Sequence, residues 1–170
     1  ILREEEIRPE SIFDEYLRLT KIDTKVFFDD AMRETIACPA CGMKGAPAFN
    51  KHGFDYELCI NCDTLFVSPR PVNDAFIRYY SNAPSTEYWA TTFYKATADA
   101  RREKLWKPKA KLIHNITERF GFGNEEVVDI GGGYGIFAEE MLSLFDRKVT
   151  IIEPGLHLAK SCRDRGIDVV

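Results

Sequence analysis

The chain contains no apolar run long enough to cross a bilayer, and its start lacks the succession of charge, apolar core and small residues that marks a signal peptide. Residues 1 to 6, Ile-Leu-Arg-Glu-Glu-Glu, are acidic instead. No membrane partner is expected on this basis, and the cytoplasm is the default location. The first residue is Ile rather than Met, so a few residues are expected to be missing or removed. No internal repeat or low-complexity stretch stands out, and 170 residues suit one ordinary domain or two small ones. The three histidines, His52, His114 and His157, show no metal-ligand spacing to one another.

Charge is also scarce in net terms, at −4 overall, and its distribution is more informative than its sum. Residues 1 to 36 carry six Lys/Arg against ten Asp/Glu, and the remainder balances at seventeen each. One basic run stands out within that remainder. Arg101, Arg102, Lys104, Lys107, Lys109 and Lys111 are opposed only by Glu103. Such a run is either a solvated helix face or a grip for a phosphate-bearing substrate or RNA. The acidic balance of the whole chain argues against a large nucleic-acid footprint.

What the chain does have is cysteine in a pattern. Cys38-Pro-Ala-Cys41 and Cys59-Ile-Asn-Cys62 are two matched knuckles with seventeen residues between them. That spacing fits a tetrahedral site with four thiolate ligands, because each knuckle turns both of its sulfurs toward one ion. Four protein sulfurs leave no open position, so the expected zinc is structural. Gly42 suits the tight turn after the first knuckle, whereas Asp63 in the same place predicts a less regular second turn. Phe54 to Leu58 alternates as a strand, and Thr64 to Val67 can pair with it, which reads as a zinc ribbon. Cys162 sits in a helical pattern and reads as a small buried apolar residue.

The second pattern is glycine. Val127-Val-Asp-Ile-Gly-Gly-Gly-Tyr-Gly135 takes an apolar strand into a glycine turn, a helix is predicted over Ile136 to Phe145, and Val149-Thr-Ile-Ile-Glu153 is a second strand ending on an acid. Glycines let the backbone approach a ligand, the helix points free N–H groups at it, and Glu153 can accept hydrogen bonds from ribose hydroxyls. A nucleoside-bearing cofactor is the expected ligand. Gly133-Tyr-Gly135-Ile-Phe-Ala138 satisfies the dinucleotide fingerprint, but begins three residues after the strand ends. Starting the register at Gly131 joins strand and turn directly and places Asp129 beside the ligand. An acid there repels a pyrophosphate and suits a cationic amino-acid moiety.

Asp129-x-Gly131-x-Gly133-x-Gly135 resembles the first motif of class I S-adenosylmethionine-dependent methyltransferases, and Glu153 matches their ribose-binding acid. The resemblance implies that Asp129 lies near the methionine end of the cofactor and that Gly131, Gly132, Gly133 and Gly135 line its back. The larger arrangement is similar to bacterial class I methyltransferases with an amino-terminal zinc ribbon. Cys38-Pro-Ala-Cys41-Gly42, Cys59 to Cys62, Leu65-Phe-Val67, Pro69-Arg-Pro71 and Tyr79-Tyr80 carry that likeness over roughly residues 36 to 170. It implies a small-molecule methyl acceptor such as a sugar or a surface or secondary metabolite. Three rivals stay open: an RNA methyltransferase using ribbon and basic helix, a non-catalytic zinc-ribbon binding module, and an NAD-dependent enzyme. No residue identifies itself as a general base.

Along the chain the expected divisions are a helical segment over 1–37, the four-cysteine zinc ribbon over 38–71, a helical, aromatic-rich linker or lid over 72–120, and a partial cofactor domain over 121–170. A helix is predicted after Pro9, another over Ala75 to Tyr80, a loop at Ser81 to Thr86, and mostly helix over 88–120 with a break or start at Pro108. Gly121-Phe-Gly-Asn124 reads as a turn. Tyr79, Tyr80, Tyr88, Trp89, Phe93 and Tyr94 read as packing or as a lid over the cofactor. The expected fold is α/β: a zinc ribbon plus helices, followed by the first β-α-β-α-β half of a Rossmann-like methyltransferase sheet. Only three of its strands are predicted, the third starting at Ile167. A carboxy-terminal half or a partner chain is therefore expected to complete the sheet, and the 170 residues alone are expected to transfer no methyl groups.

Overall fold

A computed structural model describes residues 2–123 and 125–170. The protein is mixed α/β with small sheets, and it forms two compact units, Ile1–Leu19 with Tyr80–Val170, and Thr20–Tyr79. Helices α1 (Glu4–Ile7) and α2 (Glu10–Phe28) open the chain, and α2 begins directly after Pro9 as the sequence predicts.

In the 20–79 unit, strands β2 (Gly45–Lys51), β3 (Phe54–Cys59) and β4 (Leu65–Val67) form an antiparallel meander in the order β2-β3-β4. The β2–β3 hairpin turns at His52 and Gly53, both with positive φ (54° and 81°), which keeps the exposed His52 at the tip of the hairpin. Strand β2 is not readable from its sequence: Gly-Ala-Pro-Ala-Phe-Asn-Lys has little β-propensity, and its register shifts between Pro47 and Phe49. Two further short strands, β1 (Arg33–Glu34) and β5 (Arg70–Pro71), pair with each other, so the Pro69-Arg-Pro71 exit is extended and hydrogen-bonded. Helix α3 (Asn73–Asn82) follows. Phe28 packs on Phe54, Phe76 and Tyr79 in an aromatic cluster at the base of this unit.

The other unit holds a helical run from α4 (Pro84–Tyr88) through α5 (Tyr94–Arg101) to α6 (Lys107–Arg119). The wider turns Trp89–Phe93 and Arg102–Trp106 join these helices as π segments. The loop expected at Ser81 to Thr86 is reduced to the extended Ala83, between the end of α3 and the start of α4. Pro84 sits in the first turn of α4, where its missing N–H costs nothing, so the proline marks a start rather than an interruption. Pro108 likewise sits in the first turn of α6.

Strand β6 (Val127–Ile130), helix α7 (Ile136–Phe145), strand β7 (Val149–Ile152) and helix α8 (Leu156–Asp164) complete this unit. The two strands pair in parallel, Val127 opposite Val149 and Ile130 opposite Ile152. The third strand expected from Ile167 is reduced to a single parallel bridge between Ile151 and Val169. The core is Ala110, Ala138, Met141, Val149, Ile151 and Cys162. The turn before β6 includes Gly121 at φ 78°, while Asn124 lies outside the described residues.

Candidate functional site

Two groups of residues converge in ways that chemistry can use, one in each unit. The first is the cysteine cluster. The ligand atoms of Cys38, Cys41, Cys59 and Cys62 all lie within 4.8 Å of one another. The Cys38–Cys62, Cys41–Cys59 and Cys41–Cys62 sulfur pairs stand 3.7, 3.5 and 3.4 Å apart. Zinc–sulfur bonds of about 2.3 Å in a tetrahedron require edges of about 3.8 Å, so the four thiols already surround a volume the size of one ion.

The backbone supports that fit. Gly42 N–H donates to the Cys38 carbonyl at 2.8 Å, and Asp63 N–H donates to the Cys59 carbonyl at 3.2 Å, so both knuckles close in the same way. The second turn is thus as regular as the first. Asp63 adopts φ 56°, close to the 76° of Gly42, because a short polar side chain tolerates the left-handed region. Donors also surround the sulfurs. The Thr64 hydroxyl, 3.2 Å away, and the Thr64 N–H pull the Cys62 thiol down to about 6. Burial pushes Cys38 up, but the N–H groups of Ala40 and Cys41 outweigh it and leave the thiol lowered. The Met43 N–H pulls Cys41 down, but the Cys62 and Cys59 sulfurs and burial outweigh it and push that thiol up to about 11. Four thiols converging on one point, two of them lowered, fit a structural metal ion. Cys38 and Cys59 are buried beside Phe66, so an ion here would form the centre of a very small core.

The second group surrounds the glycine turn. Gly131, Gly133 and Gly135 all take positive φ (76°, 58° and 78°), which explains three glycines where one tight turn would need fewer. At Gly135 packing adds to the requirement, since a Cβ would stand 2.7 Å from Ile167 Cδ1 and 2.9 Å from Cys162 Sγ. Gly132 is constrained from below, where a Cβ would meet Ile151 and the Asp129 carboxylate, the latter at 2.9 Å. The Asp129 carboxyl therefore lies directly under the turn, and burial pushes its pKa up from the ordinary 3.8.

Glu153 leaves the end of β7 and reaches back to the same turn. One carboxylate oxygen accepts the Gly133 N–H at 2.9 Å and the other accepts the Gly155 N–H at 2.7 Å. The structure brings Asp129, Gly131, Gly132, Gly133, Gly135 and Glu153 together around one loop. Cys162 belongs to it too: it is buried, its S–H donates to the Gly133 carbonyl at 3.2 Å, and burial pushes its thiol up to about 11. Only its buried helical position is legible in the sequence.

The turn is also held from the side. The Tyr134 ring lies parallel to Tyr94, 5.4 Å away at 3°, and Arg165 places its guanidinium 4.1 Å from the Tyr134 ring centre. Trp89 stacks on Phe93 at 4.1 Å, and Tyr16 packs on Trp89. Much of the basic run is engaged nearby. Arg102 pairs with Glu139 and Glu140, Lys104 with Glu6, and Lys107 with Glu103, while Arg101 donates to Thr97 and to the Ile7 carbonyl. Arg147, unremarkable in sequence, is buried and anchors the turn between α6 and β6. It donates to Thr117 Oγ1, the Phe122 carbonyl and the Glu125 carbonyl at 2.6, 3.0 and 2.8 Å.

Compared with models of known protein families the chain matches none, and comparison with curated proteins finds no significant match.

Proposed function

We propose that the protein is an S-adenosylmethionine-dependent methyltransferase acting on a small molecule, with a structural zinc in its ribbon. One observation carries the reading: an acid under the glycine turn and a second acid bound to its backbone. A nucleoside cofactor with a cationic amino-acid end supplies partners for both, Asp129 at the ammonium end and Glu153 at the ribose. A pyrophosphate would meet the Asp129 charge at close range.

The Rossmann-like assignment is supported by the parallel β6-α7-β7 arrangement with the turn at the carboxyl end of β6. Bound S-adenosylmethionine brings an already activated methyl group, so the protein's task is orientation rather than activation. Gly131 to Gly135 give close approach, α7 presents its amino-terminal N–H groups, and Asp129 fixes the charged end. The expected acceptor is a sugar or another metabolite. Nucleic acid is the weaker alternative, because Arg101, Arg102, Lys104 and Lys107 already have partners within the protein. A docking module without catalysis would need neither acid.

Calorimetric titration of the protein with S-adenosylmethionine, S-adenosylhomocysteine, NAD and NADP tests the reading. Binding of the first two alone supports it. Binding of a dinucleotide instead, or of none of the four, overturns it.

A further inference from the structure

Tyr94 opens α5, and its amide N–H closes the wide turn before it by donating to the Trp89 carbonyl. A π turn rotates the side chains that follow it relative to a regular helix, and such turns recur at functional sites. Here the rotation has a clear consequence. The Tyr94 ring lies flat against Tyr134, and its hydroxyl stands 3.5 Å from the point that a Cβ on Gly133 would occupy. Glu153 holds the N–H of that same glycine. Phenol and carboxylate, from elements distant in sequence, face one glycine.

The phenol has one proton to give and a use for it is missing. The Trp89 indole, which can only donate, meets the Tyr94 ring edge-on with ring centres 5.5 Å apart, so it offers the phenol no acceptor. Among the described residues no acceptor takes the phenol's own proton. Burial pushes the Tyr94 pKa up; Arg101 offsets part of the rise and the Glu153 charge adds to it, so the group remains a donor at neutral pH.

We propose that Tyr94 completes a ribose site, its O–H donating to a ribose hydroxyl that in turn donates to Glu153. The inference rests on the nucleoside-cofactor reading above, and it selects one part of that cofactor. A group lying between a fixed donor and a fixed acceptor has to do both, and a sugar hydroxyl does. A carboxylate or phosphate oxygen only accepts, and would face the Glu153 charge across the same gap. Glu153 uses one hydrogen bond per oxygen on Gly133 and Gly155, which leaves lone pairs on each for a ligand. Those backbone bonds fix the carboxylate before the ligand arrives. The Tyr94–Tyr134 stack does the same for the phenol, so the site is ordered in advance.

The test is calorimetric titration of the protein and of Tyr94→Phe with S-adenosylhomocysteine and with its 2′-deoxy and 3′-deoxy counterparts. Tyr94→Phe keeps the ring and its stack, and is expected to bind S-adenosylhomocysteine roughly tenfold more weakly, the worth of one good hydrogen bond. Against the counterpart that lacks the contacted hydroxyl, protein and variant are expected to bind alike. Equal binding of S-adenosylhomocysteine by both proteins overturns the proposal. So does an equal loss on both deoxy counterparts, which is what general damage to the turn would produce. If the unaltered protein does not bind S-adenosylhomocysteine at all, the cofactor reading falls first and takes the role of Tyr94 with it.

Discussion

At the scale of single residues, Asp129 and Glu153 are two acids with opposite circumstances. Glu153 is satisfied by two backbone N–H groups, whereas Asp129 is held under the turn with burial raising its pKa. The sign of that shift matters. As pH rises from strongly acid conditions the unfolded chain releases this proton first, so folding loses stability, and the full cost is present above the raised value. Asp129→Asn is therefore expected to melt at a higher temperature than the parent at neutral pH, with the difference vanishing below pH 3.8. The same change should weaken S-adenosylmethionine binding by roughly tenfold or more, through loss of a charged hydrogen-bond partner. Melting curves with and without the cofactor check both halves, and a variant that binds as tightly as the parent removes Asp129 from the site. The two acids and the glycines are legible in the sequence because each is required by local geometry at a fixed distance from a strand end. Arg147, and the placement of Tyr94 and Cys162 against the turn, are not, since they depend on which distant helix or turn packs beside them, and local spacing carries no such information.

At the scale of elements, the β6-α7-β7 segment is readable to the residue. Val-Val-Asp-Ile and Val-Thr-Ile-Ile are short apolar runs bounded by glycine or charge, and the helix between them carries an apolar face. The ribbon is readable through its cysteines rather than its strands, and β2 is hidden because nothing apolar alternates in it. That difference has an energetic counterpart. Among the described residues the buried cluster around Cys38 and Cys59 adds only Phe66 and part of Ile36 to the aromatic cluster of Phe28, Phe54, Phe76 and Tyr79, a small apolar core for a three-stranded sheet. A metal bound by four thiolates would supply the deficit, since structural zinc contributes roughly 10–16 kcal/mol in comparable small modules. One zinc per chain is therefore expected by elemental analysis. Chelation, or Cys59→Ser, is expected to abolish the antiparallel strands while leaving the helices of the 80–170 segment folded. Hydrogen exchange resolved by segment would show this, and strands β2 to β4 that stay protected after complete metal removal would refute the structural role.

At the scale of the whole molecule, the parallel strands are covered unevenly. Val149 and Ile151 are buried against α6 and α7, but Val128, Ile130 and Ile152 are 51%, 81% and 41% exposed on the other face. Parallel strands in stable proteins are covered on both faces, and their sequences are apolar throughout for that reason. Val127 to Ile130 is apolar at every position but Asp129 without that cover, and among the described residues its outer edge pairs with nothing. Leu112 and Ile116 on α6, and Phe120 just after it, are exposed as well. An unpaired edge beside an exposed apolar sheet face favours pairing with another chain. The protein is thus expected to self-associate in solution, with an apparent mass by light scattering that rises with concentration. Ile130→Lys places a charge beside the open edge, at a position where the side chain is already mostly in water, and should therefore spare the fold. It is expected to return the protein to a monomer with its melting temperature little changed. A parent that stays monomeric across the concentration range would mean that the exposed face and edge are tolerated as they stand, and that the apolar character of β6 has a cause other than contact.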